Sequence, residues 1–141
     1  MPANENKVFL DATYLIALAS PRDQFHRDAI RLMQEFLARR VPMVTTRAVL
    51  LEFGNSLAGP QFRTRAIRTL ESFESDPLIE IIPLTEELYE NAFALFRRRS
   101  DKAWGLTDCI SFVVMQERGI FEALTADEHF EQAGFTALLR K

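Results

Sequence analysis

Four acids in this chain sit where a carboxylate is hard to explain as ordinary surface charge. Asp11 ends the apolar run Lys7-Val-Phe-Leu, and Glu52 interrupts the apolar stretch Ala-Val-Leu-Leu-Glu-Phe-Gly-Asn. Asp108 stands in Trp-Gly-Leu-Thr-Asp-Cys, at the mouth of an apolar helical segment, and Asp127 follows Glu-Ala-Leu-Thr-Ala. Each has a plain reading taken singly. Asp11, Asp108 and Asp127 suit helix caps, whose oxygens satisfy orphan backbone N–H groups, and Glu52 suits a solvated helix face. Taken together they describe chemistry. Clustered carboxylates repel, so a site that gathers them must hold a cation or raise a pKa. Oxygen donors without a Cys or His cluster favour Mg²⁺ or Mn²⁺ over zinc. Such a site suits metal-assisted hydrolysis of a phosphodiester, in which the ion orients water and offsets charge on the scissile phosphate.

The remaining reactive residues give weaker signals. His26 and His129 are far apart in the sequence and read as surface residues; Cys109, on an apolar helix without an adjacent base, reads as core. Asn55, three residues after Glu52, shares its helix face and is placed to orient a carboxylate or bind a phosphate oxygen. Glu52 itself is expected on a mostly buried face, where a charge must be paired or ligated.

These residues need elements to carry them. The run at 7–11 reads as a buried first strand, and Ala12 to Ala19 as a short helix broken at Ser20-Pro21. Helical spacing of Phe25, Ala29, Leu32, Met33, Phe36 and Leu37 predicts a helix from about Asp23 to Arg39. Strands follow at 42–46, 78–82 and 122–125, with a last edge segment at 135–139. Between them, helices are expected at 48–57, over Phe62 to Phe73 with one apolar face (Phe62, Ala66, Ile67, Leu70, Phe73), and from a Thr85 cap to Arg97-Arg-Arg. A further helix has Thr107 or Asp108 at its opening turn and stops at Gly119, the usual residue for a left-handed end. Alternating strands and helices imply a parallel sheet covered on both faces, with ligands bound beyond the carboxyl ends of its strands. Asp11, Asp108 and Asp127 all fall at that edge.

Bulk properties bound the rest. With 141 residues, 48% of them apolar and 26% charged, the chain reads as one domain spanning 1–141. A net charge of −3 argues against a broad basic footprint on nucleic acid while leaving room for a local one. Among the basic residues, only Lys7, Lys102 and Lys141 are not arginine. One cysteine excludes an intramolecular disulfide and fits a reducing compartment. No stretch approaches a membrane span, so a soluble, cytoplasmic protein is expected.

In this order and at these spacings, Asp11, the Leu-Glu-Phe-Gly-Asn helix with Glu52, Trp-Gly-Leu-Thr-Asp-Cys at 104–109 and Leu-Thr-Ala-Asp-Glu-His-Phe at 124–130 resemble the PIN-domain ribonucleases. The likeness is greatest to the VapC-type toxins of bacterial toxin–antitoxin pairs, and it runs from Val8 to Leu139. It implies an α/β/α sandwich around a parallel sheet of four to five strands and a Mg²⁺- or Mn²⁺-dependent endoribonuclease. Asp11, Glu52, Asp108 and Asp127 match the family's acidic quartet of metal ligands, with Asp127 at its most variable position. Thr13 and Thr107 match supporting hydroxyls, Thr107 within the catalytic set, and Asn55 a frequent polar neighbour. The resemblance further implies a homodimer, an RNA substrate and a cognate antitoxin whose tail fills the acidic groove. Arg63, Arg65 and Arg68, or Arg97 to Arg99, would then guide RNA.

Other readings fare less well. A signalling receiver domain wants adjacent acids after the first strand and a late lysine, and Asp11 is followed by Ala-Thr. A phosphatase with an aspartyl nucleophile wants a second acid where Thr13 stands. A PIN-like module that binds RNA or protein without cutting it is the alternative that keeps the quartet.

Overall fold

The computed structural model describes residues 7–140. Its centre is a five-stranded parallel sheet in the order β3-β2-β1-β4-β5, flanked by helices. The strands are β1 (Val8–Leu10), β2 (Met43–Thr46), β3 (Ile79–Ile82), β4 (Glu122–Leu124) and β5 (Thr136–Ala137). Every residue of β1 and β2 is buried, as a strand covered on both faces requires, whereas β3 at one edge is only partly so.

Among the described residues, seven α-helices connect the strands: α1 (Ala12–Ala19), α2 (His26–Ala38), α3 (Arg47–Ser56), α4 (Pro60–Ser75), α5 (Glu86–Arg98), α6 (Leu106–Arg118) and α7 (Glu128–Gln132). The chain winds from β1 outward to β3, then returns across the sheet to β4 on the far side of β1. Right-handed crossovers therefore place α1 to α4 on one face and α5 to α7 on the other. The direction of winding reverses between β1 and β4, so the switch point of the sheet lies between the ends of those strands.

Local chemistry accounts for most boundaries. Thr85 caps α5 through its hydroxyl, 3.1 Å from the Leu88 N–H, with Glu86 and Glu87 in the first turn and Arg97 and Arg98 in the last. Gly119 ends α6 at φ +66°, a conformation that glycine adopts without a Cβ penalty. Three expectations are revised. Helix α2 begins at His26 rather than near Asp23, because the Asp23 carboxylate takes the Phe25 N–H at 2.8 Å and closes a turn first. The apolar face of α4 is narrower than its spacing implied: Ala66 and Phe73 are buried, while Phe62 and Ile67 are exposed. The last segment is a two-residue strand followed by a 3₁₀ turn at Leu138–Arg140.

An aromatic chain fixes α6 and α7 on the sheet. Phe112 of α6 stands edge-on to Trp104 at 5.0 Å and to Phe130 of α7 at 4.9 Å between centroids, and Phe130 also meets Phe9 of β1. Across the sheet, the buried Tyr14 hydroxyl donates to the Ala29 carbonyl at 2.7 Å and ties α1 to α2. The carboxyl-end edge of β1 and β4 is thereby framed by elements held from both faces. Among the described residues, no helix is long and apolar enough to cross a membrane.

Candidate active site

Asp11 leaves β1 at the switch point and caps α1, with 3% of its surface exposed. Its N–H donates to the Leu124 carbonyl at 3.1 Å, so the first residue beyond β1 is stitched to the last of β4. Two hydroxyls meet its carboxylate: Thr125 Oγ1 at 2.8 Å and Thr13 Oγ1 at 2.9 Å from Asp11 Oδ2. Those hydroxyls in turn accept from the backbone, Thr125 from the Asp127 N–H and Thr13 from the Ala126 N–H, each at 3.0 Å. With both hydroxyl protons spent on Asp11, the 3.0 Å approach of Thr13 Oγ1 to Thr125 Oγ1 is close contact rather than a third bond. Burial pushes the Asp11 carboxyl up from 3.8 to about 6, against the pull of Thr125 and Thr13, and the charge of Asp108 adds to the rise.

Asp108 occupies the first turn of α6, whose cap is Gly105 rather than the Thr107 or Asp108 expected from residue type. The Asp108 carboxylate reaches back to accept the Gly105 N–H at 3.1 Å. A glycine has no side chain to return the bond, so this is half of a capping box. Asp127 caps α7, its Oδ1 accepting the His129 N–H at 2.9 Å. Asp11 and Asp127 are therefore caps, and Asp108 lies in the first turn of its helix; all three are neighbours because α1, α6 and α7 open at the same edge. Burial raises the Asp108 carboxyl above its ordinary range, opposed by its bonds to Gly105 and His129.

Glu52 departs from expectation in its burial. It lies on the exposed side of α3, with Leu51, Asn55 and Ser56 also exposed around it. Its carboxylate makes no hydrogen bond or ion pair among the described residues. Desolvation nonetheless pushes it up from 4.5 to about 7, and the charges of Asp11, Asp108 and Asp127 each add to the rise. That mutual repulsion brings Glu52 into the same field as the other three acids. Asn55 and Thr107 line an open recess of about 510 Å³ beside Glu52, with Ala48, Leu51, Tyr89 and Ile110. The Thr107 carbonyl accepts from Ser111 at 3.1 Å, and its own side chain touches none of the acids by a hydrogen bond.

Two residues of the site were not singled out from the sequence. Thr125, fully buried, holds Asp11 from the β4 side; its signal was a threonine two residues before a candidate acid. His129 is not a surface residue. Its Nδ1 lies 3.0 Å from Asp108 Oδ2 and 3.3 Å from Asp127 Oδ1, with a quarter of the side chain exposed. Its signal was the spacing from Asp127, which the capping turn converts into proximity. His26 packs back on α1, its Nδ1 2.8 Å from the Ala17 carbonyl. Cys109 is fully buried, and burial pushes its thiol up to about 11, which suits core rather than nucleophile.

The donor set fits a divalent cation. Asp108, Asp127 and His129 offer ligand atoms within 4.8 Å of one another, and Asp11 and Glu52 raise the negative field beside them. Oxygen donors dominate, and one imidazole is present. Several of the arginines are engaged elsewhere. Arg63 donates to the Ala58 carbonyl, Arg97 stacks over Phe93, and Arg99 makes two bonds to Asp101 while lying over Trp104.

A parallel sheet wound in this order, with acids gathered at its switch point, defines an α/β/α class, and the chain belongs to the PIN domain family, whose pattern matches residues 8–136. Over 128 residues it is 27% identical to the 23S rRNA-specific endonuclease VapC20 of Mycobacterium tuberculosis, which covers 91% of this chain and 95% of the relative. The crystal structure of that Sarcin-Ricin loop cleaving toxin superposes with a TM-score of 0.80 at 25% identity, over 92% of this chain and 96% of the other. The fold is shared with VapBC2 from Rickettsia felis, solved bound to a promoter DNA fragment, at a TM-score of 0.67 and 15% identity over 93% and 96% of the two chains. It is shared also with FitAcB from Neisseria gonorrhoeae, at 0.62 and 14% over 92% and 94%.

Proposed function

We propose that this chain is a divalent-metal-dependent endoribonuclease, the toxin of a toxin–antitoxin pair. The observation that supports the reading is the gathering of Asp11, Asp108 and Asp127 where α1, α6 and α7 open, with Glu52 of α3 near enough to feel all three charges; burial and mutual repulsion raise three of the four carboxyls. Such a field is costly without a cation and favourable with one.

Asp11, Asp108, Asp127 and Glu52 would hold Mg²⁺ or Mn²⁺. When bound, such an ion would supply positive charge to orient water and to offset charge on a phosphodiester's phosphate. Thr125 and Thr13 fix the Asp11 carboxylate so that it need not reorganise when the ion binds. Asn55 and Thr107, in the recess beside Glu52, are placed to bind RNA next to the acids, with Tyr89 offering an exposed ring for a base. The same reading gives the chain a cognate antitoxin, a homodimeric assembly and a cytoplasmic location.

VapC20's substrate makes 23S rRNA the first RNA to try, with total tRNA beside it. Incubation with Mn²⁺, Mg²⁺ or EDTA should give discrete fragments that require metal and vanish in Asp108→Asn. A folded, metal-binding chain that leaves both RNAs intact would transfer the acids to a binding module.

A further inference from the structure

The imidazole of His129 stands between two acids from different parts of the chain. Asp108 belongs to α6 and Asp127 to the junction of β4 and α7, yet His129 Nδ1 is within 3.0 Å of one and 3.3 Å of the other. Each oxygen it faces already accepts a backbone N–H, Gly105 on Asp108 Oδ2 at 3.1 Å and His129's own on Asp127 Oδ1 at 2.9 Å. With an acceptor oxygen on each side, the imidazole tautomer that fits this position has its N–H on Nδ1. Asp108 Oδ1 and Asp127 Oδ2 make no hydrogen bond among the described residues.

We propose that His129 is a positioning residue of the metal site: its Nδ1–H ties Asp108 to Asp127 and leaves the opposite oxygen of each carboxylate for the ion. The proposal rests on the metal-site reading above. Two adjacent carboxylates drift apart by repulsion unless a donor lies between them, and closing that gap when the ion arrives would cost affinity. His129 removes that cost in advance. Its own place is set by the Asp127 cap and by packing. The neighbouring Phe130 is fully buried against Phe112 and Phe9, and Gln132 accepts the Trp104 indole N–H at 3.0 Å. The backbone that carries the imidazole is thus anchored both to the sheet and to the segment preceding α6.

The test is Mn²⁺ binding followed by electron paramagnetic resonance for the full chain, for His129→Leu and for His129→Asn, whose amide can place an N–H near the Nδ1 position. His129→Leu should weaken Mn²⁺ binding by ~10–100-fold, the usual cost of losing a residue that orients metal ligands. His129→Asn should stay closer to wild type than to His129→Leu. Spin-echo spectra of Mn²⁺ on the wild-type chain should show no directly bound ¹⁴N. A strong ¹⁴N coupling would make His129 a ligand and overturn the positioning role; so would equal affinities for wild type and a folded His129→Leu. If His129→Leu unfolds, the Asn variant and the ¹⁴N spectrum decide, and an Asn variant that binds no Mn²⁺ while still folded counts against the proposal. A wild-type chain that binds no Mn²⁺ is a different failure. It would remove the metal site itself.

Discussion

The two walls of the candidate site, one on β1 and β4 and one on α3, are built in opposite ways. On the β1/β4 wall, Asp11 is buried to 3% exposure and its carboxylate takes two hydroxyl bonds, from Thr13 and Thr125, while those hydroxyls are pinned by the Ala126 and Asp127 N–H groups. On the α3 wall, Glu52 is exposed and its carboxylate meets no donor among the described residues. Both carboxyls are nevertheless pushed up, to about 6 at Asp11 and about 7 at Glu52. Burial leads in both cases, but hydroxyl donors restrain the rise at Asp11, whereas at Glu52 three neighbouring charges augment it. The comparison separates two jobs. The β1/β4 wall fixes position, and the α3 wall adds negative charge that stays free to adjust.

The largest expected effect follows from removing charge at the fixed wall. Asp11→Asn keeps the shape and one acceptor, and RNA cleavage should fall by at least ~100-fold, the scale of losing one charge-stabilising group at a reacting centre. Cleavage within a few-fold of wild type would make the buried wall dispensable.

A second contrast concerns stability without metal. Thr125→Val removes a buried hydroxyl that serves both Asp11 and the Asp127 N–H, and should cost about 1–3 kcal/mol in denaturant unfolding. Glu52→Gln, on the exposed wall, should cost nothing measurable or stabilise slightly, because it relieves repulsion. Equal losses would erase the distinction between the walls.

The smallest expected effect is in pH. The folded Asp11 carboxyl binds its proton up to about 6, the unfolded one only up to about 3.8. Between those values the folded chain holds a proton that the unfolded chain has released. Stability from this group is therefore highest below 3.8 and declines as pH rises toward 6. In EDTA, the stability difference between Asp11→Asn and wild type, read as Tm, should grow in the variant's favour across that window. A difference that is flat with pH would mean that the hydroxyls fully offset the burial of Asp11.

The arrangement of these walls was legible in part. The apolar runs, the Thr85 cap and the Gly119 stop placed the elements, because strand burial, capping and left-handed backbone are set by residues within a turn of one another. The expectation that Glu52 faces the interior failed for a related reason. Flanking apolar residues show that α3 has a buried side, but Leu51 and Glu52 both turn out to lie on the other one.

What the sequence by itself determined was the parallel α/β architecture and the choice of four candidate acids, since periodicity and charge in an apolar run are properties of neighbouring residues. The tertiary structure alone decided which groups hold those acids. Thr125 lies 114 residues from Asp11 and His129 lies 21 from Asp108. Hydrogen bonds act over about 3 Å in space, and no local pattern records which distant donor the sheet and the Phe112–Phe130 packing bring within that reach.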